Sequence, residues 1–271
     1  MQGIERWKSK VRARRASGGA DADAGALWDE TRSTWFNRFA GKSDRSSTYR
    51  FMIPHVRGQV LEVGPGPGAY TRLLVQAAGR VVAVEPSPHM ARLLRQNLGP
   101  CPNLEIVESA IEDYLDRLEE YDFALAANVL EGIEPIGEVI GRITAHTKVF
   151  SIGTWANAVT PVWSRAVQTE ILRQAPGPDA PGNADLLAVL DELGLEYQVH
   201  VPELPAHGFP SHGELLTWVE GFLDLDPACR AELARVLRPF IAVQDGRFAL
   251  PRGQETWIVN AWKPAASGAQ P

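Results

Sequence analysis

The chain reads as a doubly wound α/β fold, and three observations predict it. Between residues 58 and 152, short β-like runs alternate with helical patterns, as expected of a parallel sheet with helices on both faces. The first β-like run passes directly into a glycine-rich turn and then a helix. The 271 residues are 45% hydrophobic and 22% charged, an ordinary globular composition with ample length for one large core.

The elements follow in order. Residues 1–15 carry Arg6, Lys8, Lys10, Arg12, Arg14 and Arg15 against a single acid, Glu5, and 16–25 are rich in Ala, Gly, Asp and Ser. Residues 1–25 are therefore expected to be a basic, flexible tail. Leu27, Trp28, Thr31, Trp35, Phe36 and Phe39 then recur at helical spacing, and a second short helix is expected over 46–55. Strands are expected at 60–63, 80–85, 104–108, 123–127 and 148–152, with helices between them at 70–78, 88–98, 112–118 and 136–145. Right-handed crossovers follow from that order. Past Gly153, helices are expected over 161–174 and 184–193 and strands over 196–201 and 255–262. Between these two strands lies a largely helical stretch, 211–238, with Leu215, Leu216, Trp218, Val219, Phe222 and Leu223 as its apolar face. Residues 265–271 are expected to be flexible.

Composition excludes several classes. No apolar run reaches the roughly 18 residues that cross a bilayer, and the basic start has no apolar run behind it, so neither a membrane span nor a secretory signal is expected. Cys101 and Cys229 are the only cysteines, which removes a disulfide framework and a cysteine metal site. No tight His/Asp/Glu cluster suggests a metal. Two isolated thiols fit a reducing compartment, and a cytoplasmic location is expected. The net charge of −6 argues against broad nucleic-acid binding, the more so because residues 1–15 alone contribute +5 and the rest of the chain sums to −11.

The most informative segment is Val60-Leu61-Glu62-Val63-Gly64-Pro65-Gly66-Pro67-Gly68-Ala69-Tyr70-Thr71. Glycine here permits positive φ and a close ligand approach to the main chain. Glu62, two residues before the first glycine, would repel a pyrophosphate but suits a ligand bearing an ammonium group. Glu85 ends the next strand, about 20 residues further on, where a carboxylate can accept both hydroxyls of a ribose.

Glu62-Val-Gly-Pro-Gly-Pro-Gly68, followed by Val-Val-Ala-Val-Glu85-Pro-Ser-Pro-His-Met90, resembles the class I S-adenosylmethionine-dependent methyltransferases over residues 58–152. The resemblance implies a Rossmann-like, mostly parallel seven-stranded sheet with an antiparallel last strand, N-terminal lid helices at 26–57, and a methyltransferase domain at 58–264 carrying a helical insertion at 205–250. It implies S-adenosylmethionine as cofactor and S-adenosylhomocysteine as product. The turn Gly64, Pro65, Gly66, Gly68 and Tyr70 would hold the methionine part, with Glu62 beside it. Glu85 would bind the ribose, and Pro86, Met90, Ala110 and Ile111 would border the adenine. Ser109 stands where the family's segment has Asp. Asn128 and Val129, at the end of the fourth strand, would line the methyl side.

Methyl transfer from a sulfonium is an in-line displacement that needs mainly proximity, and a base only if the acceptor must lose a proton. His207 and His212, at the start of the insertion, are the candidates for such a base. Trp28, Trp35, Trp155 and Trp218 are candidates for an apolar substrate pocket. Ribosomal RNA adenine dimethylases share the glycine motif but end their fourth strand in Asn-(Leu/Pro)-Pro-(Tyr/Phe), whereas this chain has Asn128-Val129-Leu130-Glu131 and lacks the aromatic that stacks a flipped base. The expected acceptor is thus a small or medium-sized, partly apolar molecule, handled by a monomer or homodimer. The alternatives are an RNA or protein methyltransferase, a nucleotide-dependent oxidoreductase and a non-catalytic S-adenosylmethionine-binding protein.

Overall fold

The computed structural model describes residues 2–17, 28–40, 46–155, 162–175, 177–202, 208–250 and 256–264. Strands β1 (Gln59–Val63), β2 (Arg80–Val84), β3 (Leu104–Val107), β4 (Tyr121–Ala127), β5 (Thr147–Trp155), β6 (Glu196–His200) and β10 (Thr256–Trp262) form one sheet in the order β3-β2-β1-β4-β5-β10-β6. The first five pair in parallel, and β10 runs antiparallel to both β5 and β6. Val60, Leu61, Val81, Val82, Phe123, Ala124 and Leu125 are fully buried, which is why these strands read as continuous apolar runs rather than alternating ones.

The helices are α1 (Gly3–Ala16), α2 (Glu30–Ala40), α3 (Ser46–Tyr49), α4 (Thr71–Ala77), α5 (Pro88–Leu98), α6 (Ile111–Tyr114), α7 (Ile136–Ala145), α8 (Val162–Glu170), α9 (Asn183–Glu192), α10 (His212–Leu223) and α11 (Arg230–Leu237). On one face of the sheet Ile136, Ile140 and Ile143 of α7 and Leu186, Val189 and Leu190 of α9 make the main core. On the other, Met52, Val56, Tyr70 and Leu74 cover Val60, Phe123, Leu125 and Ile258. No helix among the described residues is long and apolar enough to cross a membrane.

The expectation of a flexible tail over 1–25 is overturned for residues 3–16. They form α1, whose Gly3, Trp7 and Val11, one turn apart, are buried, the last two in the main core. Four of the six basic residues that suggested solvation have partners distant in sequence. Arg6 and Lys10 both pair with Asp185 at 2.7 Å, and Arg12 and Arg15 pair with Glu134 at 2.7 and 3.1 Å.

The insertion also differs from the helical one expected. Strands β7 (Gly208–Phe209), β8 (Ala242–Gln244) and β9 (Arg247–Ala249) form a small antiparallel sheet beside α10 and α11. These elements share a separate apolar core with α8, through Trp163, Val167, Phe209, Leu215, Val219, Leu233 and Val236. The accessory layer is thus discontinuous in sequence, drawing α8 in from before β6.

Candidate functional site

The glycine turn leaves β1 with Gly64, Gly66 and Gly68 at φ +61°, +54° and +93°. At Gly64 a β-carbon would lie 2.6 Å from Cγ1 of Val129, so the turn is pressed against the segment that follows β4. A β-carbon at Gly66 would meet nothing within 4 Å, so this stretch of main chain faces open space. The turn therefore lies where the chain order reverses between β1 and β4, the crevice in which open α/β sheets bind ligands.

Two carboxylates flank it. Glu62 and Glu85 are each 3% exposed, and neither makes an ion pair among the described residues. Glu85 is oriented by two main-chain donors: Ser87 N–H to Oε1 and Gly66 N–H to Oε2, both 2.9 Å. Glu62 Oε2 is buried without a hydrogen-bond partner among the described residues. Burial pushes the Glu62 carboxyl up to about 8; the Thr71 hydroxyl opposes this and the charge of Glu85 adds to it. Burial also raises Glu85, against the two N–H groups that favour its charged form.

The third member is Asn128. It takes left-handed backbone, φ +57°, at the end of β4, and its N–H donates to the Gly153 carbonyl at 2.7 Å. Its buried Oδ1 also lacks a partner among the described residues. The structure thus gathers Glu62, Gly64, Gly66, Glu85, Asn128 and Val129 at the carboxyl ends of three neighbouring strands.

The other expected contacts divide. Pro65, Gly68, Tyr70 and Met90 are buried, while Pro86 and Ala110 are half-buried. Tyr70 shares a 3.0 Å hydrogen bond between its hydroxyl and that of Thr48, tying α3 to the turn. Ser109 N–H donates to the Glu85 carbonyl at 3.2 Å, while its hydroxyl bends to the Ala110 carbonyl at 2.9 Å. Ile111 is in the main core, 4% exposed. As the first residue of α6 it packs its side chain against that core.

On the acceptor side the structure joins Trp35 and Trp218, whose ring centroids are 6.3 Å apart, and adds Trp163, Phe209 and Phe222 around Trp218 at 5.9, 5.5 and 5.2 Å. Trp35 sits edge-on to α10 so closely that a β-carbon on Gly221 would lie 1.8 Å from its Nε1. Trp28 belongs elsewhere: its ring meets Phe36 at 4.9 Å, and its carbonyl accepts from the Ser87 hydroxyl at 2.8 Å. Trp155 ends β5, but its side chain lies outside the described residues, as does all of His207. His212 packs on Phe248, centroids 5.8 Å apart, at the first turn of α10.

Ser87 is the functional residue that sequence reasoning passed over. It orients Glu85, caps α5 by accepting from Met90 N–H at 3.3 Å, and tethers Trp28. The signal was present as Ser87-Pro88, a capping residue before a proline at the first helical position.

Residues 60–148 match the model of a family described as a methyltransferase domain. The ribosomal RNA small subunit methyltransferase A of Anaeromyxobacter sp. (strain K) is 31% identical over 163 residues, 59% of this chain and 56% of that protein. The probable ribosomal RNA small subunit methyltransferase A of Methanopyrus kandleri is 51% identical over 55 residues, 20% of each. The chain therefore spans 20% and 56% of the length of these two curated relatives. Among solved structures, magnesium protoporphyrin IX methyltransferase from Synechocystis PCC 6803 with bound SAH superposes with a TM-score of 0.57 at 13% identity, covering 90% of this chain and 100% of that one. A SAM-dependent methyltransferase from Leishmania major superposes with a TM-score of 0.56 at 13% identity, covering 74% and 85%. At such identities the likeness is one of fold.

Proposed function

The chain is built on a class I S-adenosylmethionine-dependent methyltransferase domain, and from that premise we propose that it methylates a small or medium-sized, partly apolar acceptor. The observation that carries the reading is the pair of buried carboxylates without cations around an open glycine turn. Glu62 Oε2 and Asn128 Oδ1 are buried acceptors with no hydrogen bond among the described residues, though the Thr71 hydroxyl lies beside Glu62, and such groups are costly unless a ligand supplies further donors. The ammonium end of S-adenosylmethionine carries donors of that kind, and Glu85 stands where a ribose diol would meet it, so the residues fit the cofactor.

When bound, the cofactor supplies a methyl group already activated on a sulfonium. The protein's own part is then to hold and orient. Glu62 and Asn128 would fix the ammonium end, Glu85 the ribose, and Gly66 would let the main chain approach closely. His212 remains the described candidate for removing a proton from an acceptor that must lose one.

The acceptor would lie under the roof made by α2 and the accessory layer. Trp35, Trp163, Trp218 and Phe222 give that roof an apolar lining, which supports a partly apolar substrate. Closing such a roof would exclude water from the transfer. The similarity to ribosomal RNA methyltransferases favours a second reading, an RNA acceptor. Two observations weigh against it. Glu131, which accepts from the Thr154 hydroxyl, stands where a flipped base would need an aromatic platform, and Arg6, Lys10, Arg12 and Arg15 of α1 are engaged with Asp185 and Glu134.

Calorimetry with S-adenosylmethionine and S-adenosylhomocysteine tests the proposal. Binding in the micromolar range is expected, and Glu85→Ala should weaken it at least about tenfold, the worth of one charge-assisted hydrogen bond. Absence of binding to either ligand, or an unchanged affinity in Glu85→Ala, would overturn it.

A further inference from the structure

We propose that α1 is a brace for the segment after β4, with Arg15 as its positioning residue. The inference rests on the reading above in one respect, that Asn128 and Val129 border the cofactor. Residues 128–134 are held little by regular structure. Asn128 has positive φ, Leu130–Gly132 make one 3-10 turn, and the last sheet-like bond is Asn128 N–H to Gly153 O. Beyond it, Thr154 Oγ1 donates to Glu131 Oε1 at 3.0 Å.

Leu130 and Ile133 are packed in the main core, and the segment's remaining long-range hydrogen bonds among the described residues come from one helix more than a hundred residues away in sequence. Trp7 Nε1 donates to the Ile133 carbonyl at 2.8 Å, in a buried setting. Arg15 Nη2 donates to the Gly132 carbonyl at 2.9 Å and Nη1 to Glu134 at 3.1 Å. Arg12 Nε adds a second bond to Glu134 at 2.7 Å. Two successive carbonyls are therefore drawn toward α1, which leaves Val129 against Gly64 on the cofactor side.

The brace has a fixed footing. Gly3 lets α1 approach α9 so closely that a β-carbon would lie 2.4 Å from the Ala188 carbonyl, and Arg6 and Lys10 clamp Asp185 of the same helix. Arginine suits the other end because its planar fork can hold a carbonyl and a carboxylate at once, whereas lysine offers a single point charge. The hydrogen bonds of α1 reach Gly132, Ile133 and Glu134, so the brace acts on Asn128 through the covalent segment between them.

The test uses the full chain with Arg15→Met, Arg15→Lys and Arg6→Met, read by amide hydrogen exchange and by calorimetry with S-adenosylhomocysteine. Arg15→Met should speed exchange in residues 129–134 at least tenfold and weaken S-adenosylhomocysteine about tenfold. Arg15→Lys should recover part of both. Arg6→Met, which loosens the footing but leaves the loop bonds, should lower the melting temperature with both readouts near the wild-type values. Wild-type exchange in 129–134 and wild-type affinity in Arg15→Met would overturn the brace. If Arg15→Met does not fold, Arg15→Lys decides by the same two readouts. If the wild-type chain binds no S-adenosylhomocysteine, the cofactor reading falls and local exchange alone decides the brace.

Discussion

Glu62 sets a conflict between folding and binding. Its carboxyl sits at about 8 in the folded chain, well above its ordinary value, so the folded state holds a proton that the unfolded state releases. Stability of the ligand-free protein should therefore fall as pH rises from about 4.5 toward 8, and Glu62→Gln should flatten that dependence in thermal melts across the same window. Ligand binding runs the opposite way. A cationic group needs the carboxylate, so affinity for S-adenosylmethionine should rise toward pH 8, by up to about tenfold per unit. Titrations at several pH values, with proton release on binding read from buffers of different ionisation enthalpy, would check the sign. Both glutamates were legible in the sequence because each is defined by neighbours close in the chain: a strand before it and a turn or proline after it. The burial of Ile111 in the main core was not, since it depends on how α6 seats against segments distant in the chain.

At the scale of elements, α2 is a strut between two bodies. One end meets the cofactor region through Trp28 and Ser87, and the other places Trp35 on Gly221 of α10. Gly221→Ala should force the indole out of its seat at a cost of about 1–3 kcal/mol, typical of overpacking. Denaturant titration would measure the loss, and tryptophan emission should shift to longer wavelength as Trp35 leaves the cluster. The parallel half of the sheet was readable because apolar runs of four to seven residues announce buried strands. The small sheet was not, since β7 has two residues and β8 and β9 three each, too few to show a period. The sharing of α8 with the accessory core was invisible for a different reason: it is a property of packing between segments separated by the whole of α9 and β6.

For the whole molecule, the distribution of charge matters more than its total. Four of the six cations at the start of the chain, Arg6, Lys10, Arg12 and Arg15, pair with Asp185 and Glu134, so they offer a polyanion less free positive charge than the sequence suggests. Salt should then change RNA affinity little, a shallow slope of log K against log salt concentration, if any RNA binds at all. Filter binding over a salt series would measure it. Removing the docked helix should instead cost stability: Trp7→Ala is expected to lose about 3–5 kcal/mol in denaturant titrations, as for other fully buried indoles. The sequence pattern concealed this because a stripe of only Gly3, Trp7 and Val11 is narrow, and the partners that make its charges useful lie far along the chain.

The position of β10 has a consequence for biosynthesis. It is inserted between β5 and β6, although it follows both in the chain. While a nascent chain lacks residues 256–262, β5 and β6 each present an unpaired edge to any neighbouring polypeptide. The accessory layer is completed before that gap is closed, because residues 208–250 emerge first. The gap in the sheet is thus fastened only after the accessory layer has emerged, and the interval before β10 arrives is when these edges most need a chaperone.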